Sequence, residues 1–273
     1  MRISIIGTGM IATEVISMLR TEGKGIEITS LFSHSDKDKA QSLAKANRIA
    51  HVYTDYTQLL KEDDADFVYI ALVNSAHYDY VRQALEADRN VIVEKPFTTS
   101  LSQAEELASL ARSRNLYLFE AVSLLHTPNF KLVKDSLTRI APIHLVQCNF
   151  SQYSSRFERY LQGDIAPAFN PKLGGGAMND LNVYNINTVI GLFGEPLTTT
   201  YYANRGHNGI DTSGTMVLSY PTLTATCTAA KDSSSPSFTI IQGEKGWIRI
   251  PTTANEFGSV EIMEGGKLTS YQR

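Results

Sequence analysis

The chain has 273 residues, 42% of them hydrophobic, and a formal net charge of −3. That length accommodates two ordinary domains with sizeable cores, and the near-neutral balance, without a basic run, argues against nucleic acid or an anionic membrane surface as a partner. No segment approaches the roughly 20 apolar residues that span a bilayer, and the first apolar stretch is broken by glycines and Glu14, unlike a signal peptide. The two cysteines, Cys148 and Cys227, lie in strand-like stretches without metal-ligand spacing, which reads as buried, reduced and cytoplasmic with no metal site.

Residues 2–6 (RISII) read as a short strand, followed at once by Gly7-Thr8-Gly9-Met10-Ile11-Ala12 and a helical pattern with Val15, Ile16 and Leu19 on one side. This is a G-x-G-x-x-A fingerprint between strand and helix. The first glycine permits a tight turn, the second lets main chain approach a pyrophosphate, and the small third residue lets helix pack on strand. A second strand is expected over 26–32. An NAD-specific site usually carries an acid about 20 residues after the glycines to accept the ribose hydroxyls. Here Ser33-His34-Ser35 stands in that place, with Asp36 the first acid and Lys37 and Lys39 behind it. Small hydroxyls and an imidazole suit a 2′-phosphate, so NADP is preferred as cofactor; with Asp36 on the ribose, NAD is the alternative.

Strand and helix then alternate: helix 36–47, strand 51–53, helix 56–61, strand 67–72, helix 78–87, strand 91–93, helix 101–114, strand 116–119. This alternation predicts an α/β Rossmann domain over 1–121, a doubly wound parallel sheet with helices on both faces. Parallel strands share a carboxyl edge, where open α/β sheets bind ligands. That edge collects Gly7, Ser33, Asn74, Glu94, Lys95 and Glu120, with His77 at a following helix start. From 122 to 273 a helix near 129–137 precedes period-two stretches at 143–150, 197–203, 215–220, 223–230, 238–241 and 247–250. A second α+β domain with a mainly antiparallel sheet is expected there, with Ser233–Ser237 as a hairpin loop.

Two segments carry the chemistry. Glu94-Lys95-Pro96 ends a strand, and Gly174-Gly175-Gly176-Ala177-Met178-Asn179-Asp180 opens a helix on which Asp180, Tyr184 and Asn187 fall at i, i+4 and i+7, one α-helical face. A lysine, a tyrosine and a carboxylate in one cleft move a proton while a nicotinamide moves a hydride. Gln152, Tyr153 and Arg156, in a polar stretch after a strand, are candidates for the substrate pocket wall. Structural readings exist beside these: Lys95 in a surface pair, Tyr184 as a core tyrosine, Asp180 as a helix-start carboxylate.

The order and spacing of these motifs resemble the Gfo/Idh/MocA oxidoreductases, the family of glucose–fructose oxidoreductase and inositol dehydrogenase. The resemblance rests on the glycine fingerprint, on Asp66-Phe67-Val68-Tyr69-Ile70-Ala71 with Asn74 and His77, on Glu94-Lys95-Pro96, on Phe119-Glu120-Ala121, and on the Gly174 to Asp180 segment. It implies that Lys95 and Tyr184 flank the nicotinamide and that Asp180 touches substrate. It also implies a homodimer or homotetramer formed through the C-terminal sheet. Tyrosine at 184, where other branches carry histidine, resembles the dihydrodiol dehydrogenase branch. The chain departs from the pattern in three places: Asn182 replaces a usual glycine, Asn187 a common aspartate, and Leu125 stands where that branch has arginine. The substrate is therefore not transferred. The family pattern usually continues through a further strand and a C-terminal helix beyond the point where this sequence stops.

The expected reaction is reversible hydride transfer between nicotinamide and a carbinol or carbonyl carbon of a sugar, polyol or diol, with Tyr184 as acid and base. A free tyrosine ionises near pH 10. An ammonium ~4 Å away at an effective dielectric of ~20 is worth about 4 kcal/mol, roughly three pKa units, and burial opposes it. Lys95 would thus bring Tyr184 toward neutrality, where proton transfer works best. The alternatives are a tightly held NAD(P) used as a redox shuttle, and a non-catalytic NAD(P)-binding sensor or subunit.

Overall fold

Apolar on both faces, Arg2–Ile6 becomes a central strand, β1, of a parallel sheet. The computed structural model describes residues 1–272, and these fall into two compact units, Met1–Ala121 and Val122 onward. The first unit runs β1, α1 (Met10–Thr21), β2 (Glu27–Phe32), α2 (Lys37–Ala46), β3 (His51–Tyr53), α3 (Tyr56–Glu62), β4 (Phe67–Ile70), α4 (His77–Glu86), β5 (Asn90–Val93), α5 (Leu101–Ser113) and β6 (Leu118–Glu120). Its strands order as β3-β2-β1-β4-β5-β6, every pair parallel, the arrangement of a dinucleotide-binding sheet. Ile3 and Ile5 pack on one side against Ala12 and Ile16 of α1 and Ala40 and Ala44 of α2. Ile6, Val68 and Ile70 pack with Leu59, Val81 and Leu107 of α3, α4 and α5. Aspartates start two of these helices: Asp36 accepts from Lys39 N at 2.9 Å and Asp55 from Gln58 N at 3.1 Å.

The second unit runs α6 (Pro128–Ile140), β7 (Ile143–Ser151), α7 (Phe157–Leu161), α8 (Val183–Phe193), then β8 (Thr198–Arg205), β9 (Asp211–Ser219), β10 (Thr224–Ala230), β11 (Phe238–Gly243), β12 (Gly246–Ile250), β13 (Val260–Glu264) and β14 (Lys267–Tyr271). These eight strands form one mixed sheet, β14-β13-β12-β11-β7-β10-β9-β8, antiparallel except for the β7–β10 pair. Phe130, Val133 and Ile140 of α6 and Val189 and Leu192 of α8 cover one face, over Val146, Cys148, Ala225, Cys227, Ile241 and Ile248. Cys148 and Cys227 are free thiols in register on neighbouring strands; their hydrogen bond and burial push the Cys227 thiol up.

Two expectations change here. Ser233–Ser237 is no hairpin loop, because β7 lies between β10 and β11 and the chain crosses its end. β13 and β14, absent from the sequence reading, form a hairpin across Gly265-Gly266, both with positive φ (+54° and +79°). No helix among the described residues is long and apolar enough to cross a membrane.

Candidate active site

At the carboxyl edge of the parallel sheet the last paired residues form one row, Phe32, Ile6, Ile70, Val93 and Glu120. One position further, Gly7, Ala71, Glu94 and Ala121 each donate a main-chain N–H to the adjacent strand, at 3.0, 2.9, 2.9 and 2.8 Å. The exits of β1, β4, β5 and β6 are thereby fixed level with one another. Gly7 has φ +123°, and a Cβ there would run into the Ala71 carbonyl. Gly9 precedes α1 without a side-chain cap, and a Cβ there meets nothing within 4 Å. An uncapped helix start beside a glycine that opens on free space is a cradle for a phosphate group. Thr8 is half-buried, and Met10 and Ile11 are exposed on the first turn.

Beyond β2, Ser33 is buried and its hydroxyl accepts from Asp36 N at 3.2 Å, while His34 and Ser35 are exposed. Beyond β5, Tyr69 donates to Glu94 Oε1 at 2.5 Å. The main chain after Lys95 is gripped twice. His77, fully buried, sets Nδ1 at 2.9 Å from the Pro96 carbonyl and Nε2 at 3.2 Å from that of Leu72. Glu120 Oε1 accepts from Phe97 N at 2.8 Å. Burial holds the His77 ring below its ordinary pKa despite those carbonyls. Burial also pushes the Glu120 carboxyl up, with Glu94 adding to it and the Phe97 N–H and Lys95 opposing. His77 is thus a support of the Lys95 segment, and Asn74 starts the short turn before α4.

In the second unit, Gly174 and Gly176 take positive φ (+73° and +110°) and bring the chain into a π-helical turn, Met178–Asn182, ahead of α8. Asp211 holds that entry, its Oδ2 accepting from Met178 N and from Tyr201 Oη, each at 2.7 Å. Asn182 donates to Cys227 O at 2.8 Å and Asn185 to Thr228 O at 2.9 Å, fastening the helix start to β10. Buried Asn182 thereby takes a structural role at the position where the family pattern has glycine. The single α-helical face expected through Asp180, Tyr184 and Asn187 is interrupted, since Asp180 lies in the π turn and Tyr184 in the first turn of α8. The half-buried Tyr184 ring sits 6.2 Å from that of Phe150. Asn187 donates back to Val183 O at 2.9 Å. Tyr153 is 43% exposed and donates to Glu158, and Arg156 is exposed at the start of α7.

Asp180 has a partner no motif announces. Lys231, just beyond β10, reaches Asp180 Oδ2 at 2.5 Å and the Ala168 carbonyl at 2.9 Å, with its ammonium 4.6 Å from the centre of the Phe169 ring. Its side chain is 2% exposed and that of Asp180 36%.

Two family models match the chain: residues 1–122 match the Gfo/Idh/MocA oxidoreductase family, NAD-binding Rossmann fold, and residues 138–249 match the Gfo/Idh/MocA C-terminal domain. The oxidoreductase YgjR of Escherichia coli is 33% identical over 90% of this chain and 74% of its own length. The NADP(+)-dependent scyllo-inositol 2-dehydrogenase IolU of Bacillus subtilis is 32% identical over 92% of this chain and 76% of its own. The chain belongs to the Gfo/Idh/MocA oxidoreductase family. Among solved structures, KijD10, a 3-ketoreductase from Actinomadura kijaniata in complex with NADP and TDP-benzene, superposes over all of this chain and 84% of its own, with a TM-score of 0.85 at 26% identity. As a member of this family the protein is an NAD(P)-dependent oxidoreductase, and the cradle at Gly7 and Gly9 fits the dinucleotide its first domain is built to hold.

Sequence reasoning found the strand-edge residues of this family member because each follows directly on a legible strand. It passed over Lys231, whose neighbours Asp232 and Ser233 look like an ordinary polar turn; nothing local separates a lysine turned inward from one in solvent.

Proposed function

We propose that the protein moves a hydride reversibly between NADP(H) and a carbinol carbon of a polyol, sugar or diol. A bound nicotinamide supplies the hydride acceptor or donor. Tyr184 gives and takes the hydroxyl proton, Lys95 favours its ionised form, and Asp180 accepts a hydrogen bond from a substrate hydroxyl. The observation that carries this reading is the state of Asp180. Its side chain is about one-third exposed, shortly ahead of Tyr184 on the same helix entry, and its carboxylate is clamped by a buried ammonium. Such an acceptor is pre-oriented for an incoming hydroxyl.

NADP preference is supported by Asp36, whose carboxylate already caps α2 through Lys39 N, leaving the exposed His34 and Ser35 to face the group on the ribose, with buried Ser33 holding the turn through Asp36 N. NADP dependence and the inositol in the name of IolU, and the NADP bound in the KijD10 complex, point the same way. In this reading Met1–Ala121 holds the cofactor and the second unit presents Asp180, Tyr184, Asn187, Tyr153 and Arg156 to substrate. Homo-oligomers would form through the sheet face away from α6 and α8, where Leu145 and Tyr202 are exposed, in a cytoplasmic setting.

Nicotinamide fluorescence titration with NADPH and NADH is the first test, followed by NADP(+) reduction with scyllo-inositol, glucose and trans-1,2-dihydrobenzene-1,2-diol. NADPH binding at least about tenfold tighter, a gap of about 1.4 kcal/mol, and turnover with one of the panel are expected. Equal binding of NADH would remove the assignment to Ser33–Ser35, and a folded protein inert toward the whole panel would remove the substrate class.

A further inference from the structure

Lysine is almost never fully buried unless paired, because taking an ammonium out of water is costly and is offset only by close, well-aligned partners. Lys231 is buried in this way, and its surroundings meet the need from three directions: the Asp180 carboxylate, the Ala168 carbonyl and the face of Phe169. The main chain at the same residue is held as tightly. Lys231 N donates to Thr212 O at 2.8 Å, and Lys231 O accepts from Ser154 N at 2.9 Å. One residue therefore joins the end of β10, the start of β9, the 152–156 segment that carries Tyr153 and Arg156, the 166–170 segment, and the π turn bearing Asp180.

If the only requirement here were stability, an apolar pair of similar volume would serve as well or better. What such a pair would not provide is an ionised carboxylate held in one direction. The exposures are unequal in the sense this requires: the cation is shielded and the anion keeps one-third of its side-chain surface open. The ammonium takes Oδ2.

We propose that Lys231 is a positioning residue for the reaction, acting through Asp180: it keeps that carboxylate charged and turned toward the substrate hydroxyl. This rests on the assignment of Asp180 to substrate made above. Lys231 itself touches no reacting atom.

The test compares Lys231→Gln in the wild-type and Asp180→Asn backgrounds, using whichever of scyllo-inositol, glucose or the dihydrodiol the wild type turns over. Glutamine keeps an N–H donor and removes the charge; Lys231→Arg keeps the charge. Lys231→Gln should lower kcat/KM about 30-fold, mostly by raising KM, with NADPH affinity unchanged, and Lys231→Arg should restore most of it. In the Asp180→Asn background the same change should cost less than about twofold, because the group through which Lys231 acts is already gone. A loss of equal size in both backgrounds would mean a merely structural lysine, and no loss in the wild-type background would overturn the proposal outright. If Lys231→Gln does not fold, Lys231→Met, which keeps the length and the apolar contacts and removes the charge, carries the same comparison: a loss confined to the background that keeps Asp180 supports the proposal, and an equal loss in both, or none in either, overturns it. A fully active Asp180→Asn enzyme would instead show that the assignment of Asp180 was wrong, whatever Lys231 does.

Discussion

In the first unit the residues assigned to the cofactor follow strand ends directly and are set by main-chain hydrogen bonds between neighbouring strands, as Gly7 is by Phe32 O and Glu94 by Ile70 O. In the second unit the residue assigned to substrate, Asp180, is set by the side chain of Lys231, 51 positions further on, and its helix entry by Asp211, 33 positions beyond Met178. The first region is a product of topology: any sequence that forms the parallel sheet in this order brings its strand exits to one edge. The second depends on individual polar side chains, buried as Lys231 is or partly buried as Asp180 and Asp211 are, each needing its partner. Substitutions at the glycine turn of the first region should therefore act through backbone shape, and those at the helix entry of the second through the loss of one charge or one hydrogen bond.

The largest expected effect lies in the second region. Tyr184→Phe should lower kcat by about 10³-fold, within the range for removal of a general acid–base, with NADPH affinity unchanged by fluorescence titration; substantial residual turnover would take Tyr184 out of the chemistry. Under the proposed role of Lys95 in favouring the ionised tyrosine, Lys95→Met should lower kcat by about 100-fold and raise the pH at which the rate levels off; an unmoved pH–rate profile would leave Lys95 a binding residue only.

The glycines sharpen the contrast within the first region. Gly9 has φ −71° and open space beside it. Gly9→Ala should therefore melt within about 2 °C of wild type, an effect below about 1 kcal/mol, yet bind NADPH at least about tenfold more weakly. Gly7→Ala meets the Ala71 carbonyl at φ +123° and should lose about 2 kcal/mol of stability as well. If both bind and melt alike, the cradle has been misread.

The smallest effect concerns Glu120. Because burial raises its folded pKa, the ionised form opposes folding above that pKa, and the penalty disappears below the unfolded value near 4.5. Glu120→Gln keeps an oxygen for Phe97 N and should raise Tm by about 2 °C at pH 7, a gain that vanishes by about pH 4. A gain that persists in acid would point to packing. His77 works in the opposite sense. With its folded pKa depressed below 6.5, its neutral form sustains the native state: the contribution is fully present above the unfolded value and is lost as pH falls from there through the folded one.

Much of this protein could be read in one dimension. The G-x-G-x-x-A turn, the alternation through residue 120 and the strand-end lysine at 95 are local signals, and the fold has their elements to within a few residues. The β13–β14 hairpin also has local signals, in the alternation at Val260 and Ile262 and the Gly265-Gly266 turn. Other features had no local signal. The period-two stretches of the second unit fit several strand orders, and only pairing of β7 with both β10 and β11 excludes a hairpin at Ser233–Ser237. The helical period from Asp180 to Asn187 assumed regular α geometry, which the π turn interrupts.

Sequence by itself settled the dinucleotide-binding half of the fold, the family and the identity of Lys95, Asp180 and Tyr184 as candidates, because each is encoded by near neighbours in period, turn chemistry or motif. Tertiary structure alone decided that Lys231 turns inward onto Asp180, that Asp36 is occupied in capping α2, and that His77 and Glu120 grip the chain around Lys95. The physical reason is that the partner of a buried charge is chosen by three-dimensional proximity and the need for compensation, and a lysine followed by aspartate and serine carries no mark of which way it will turn.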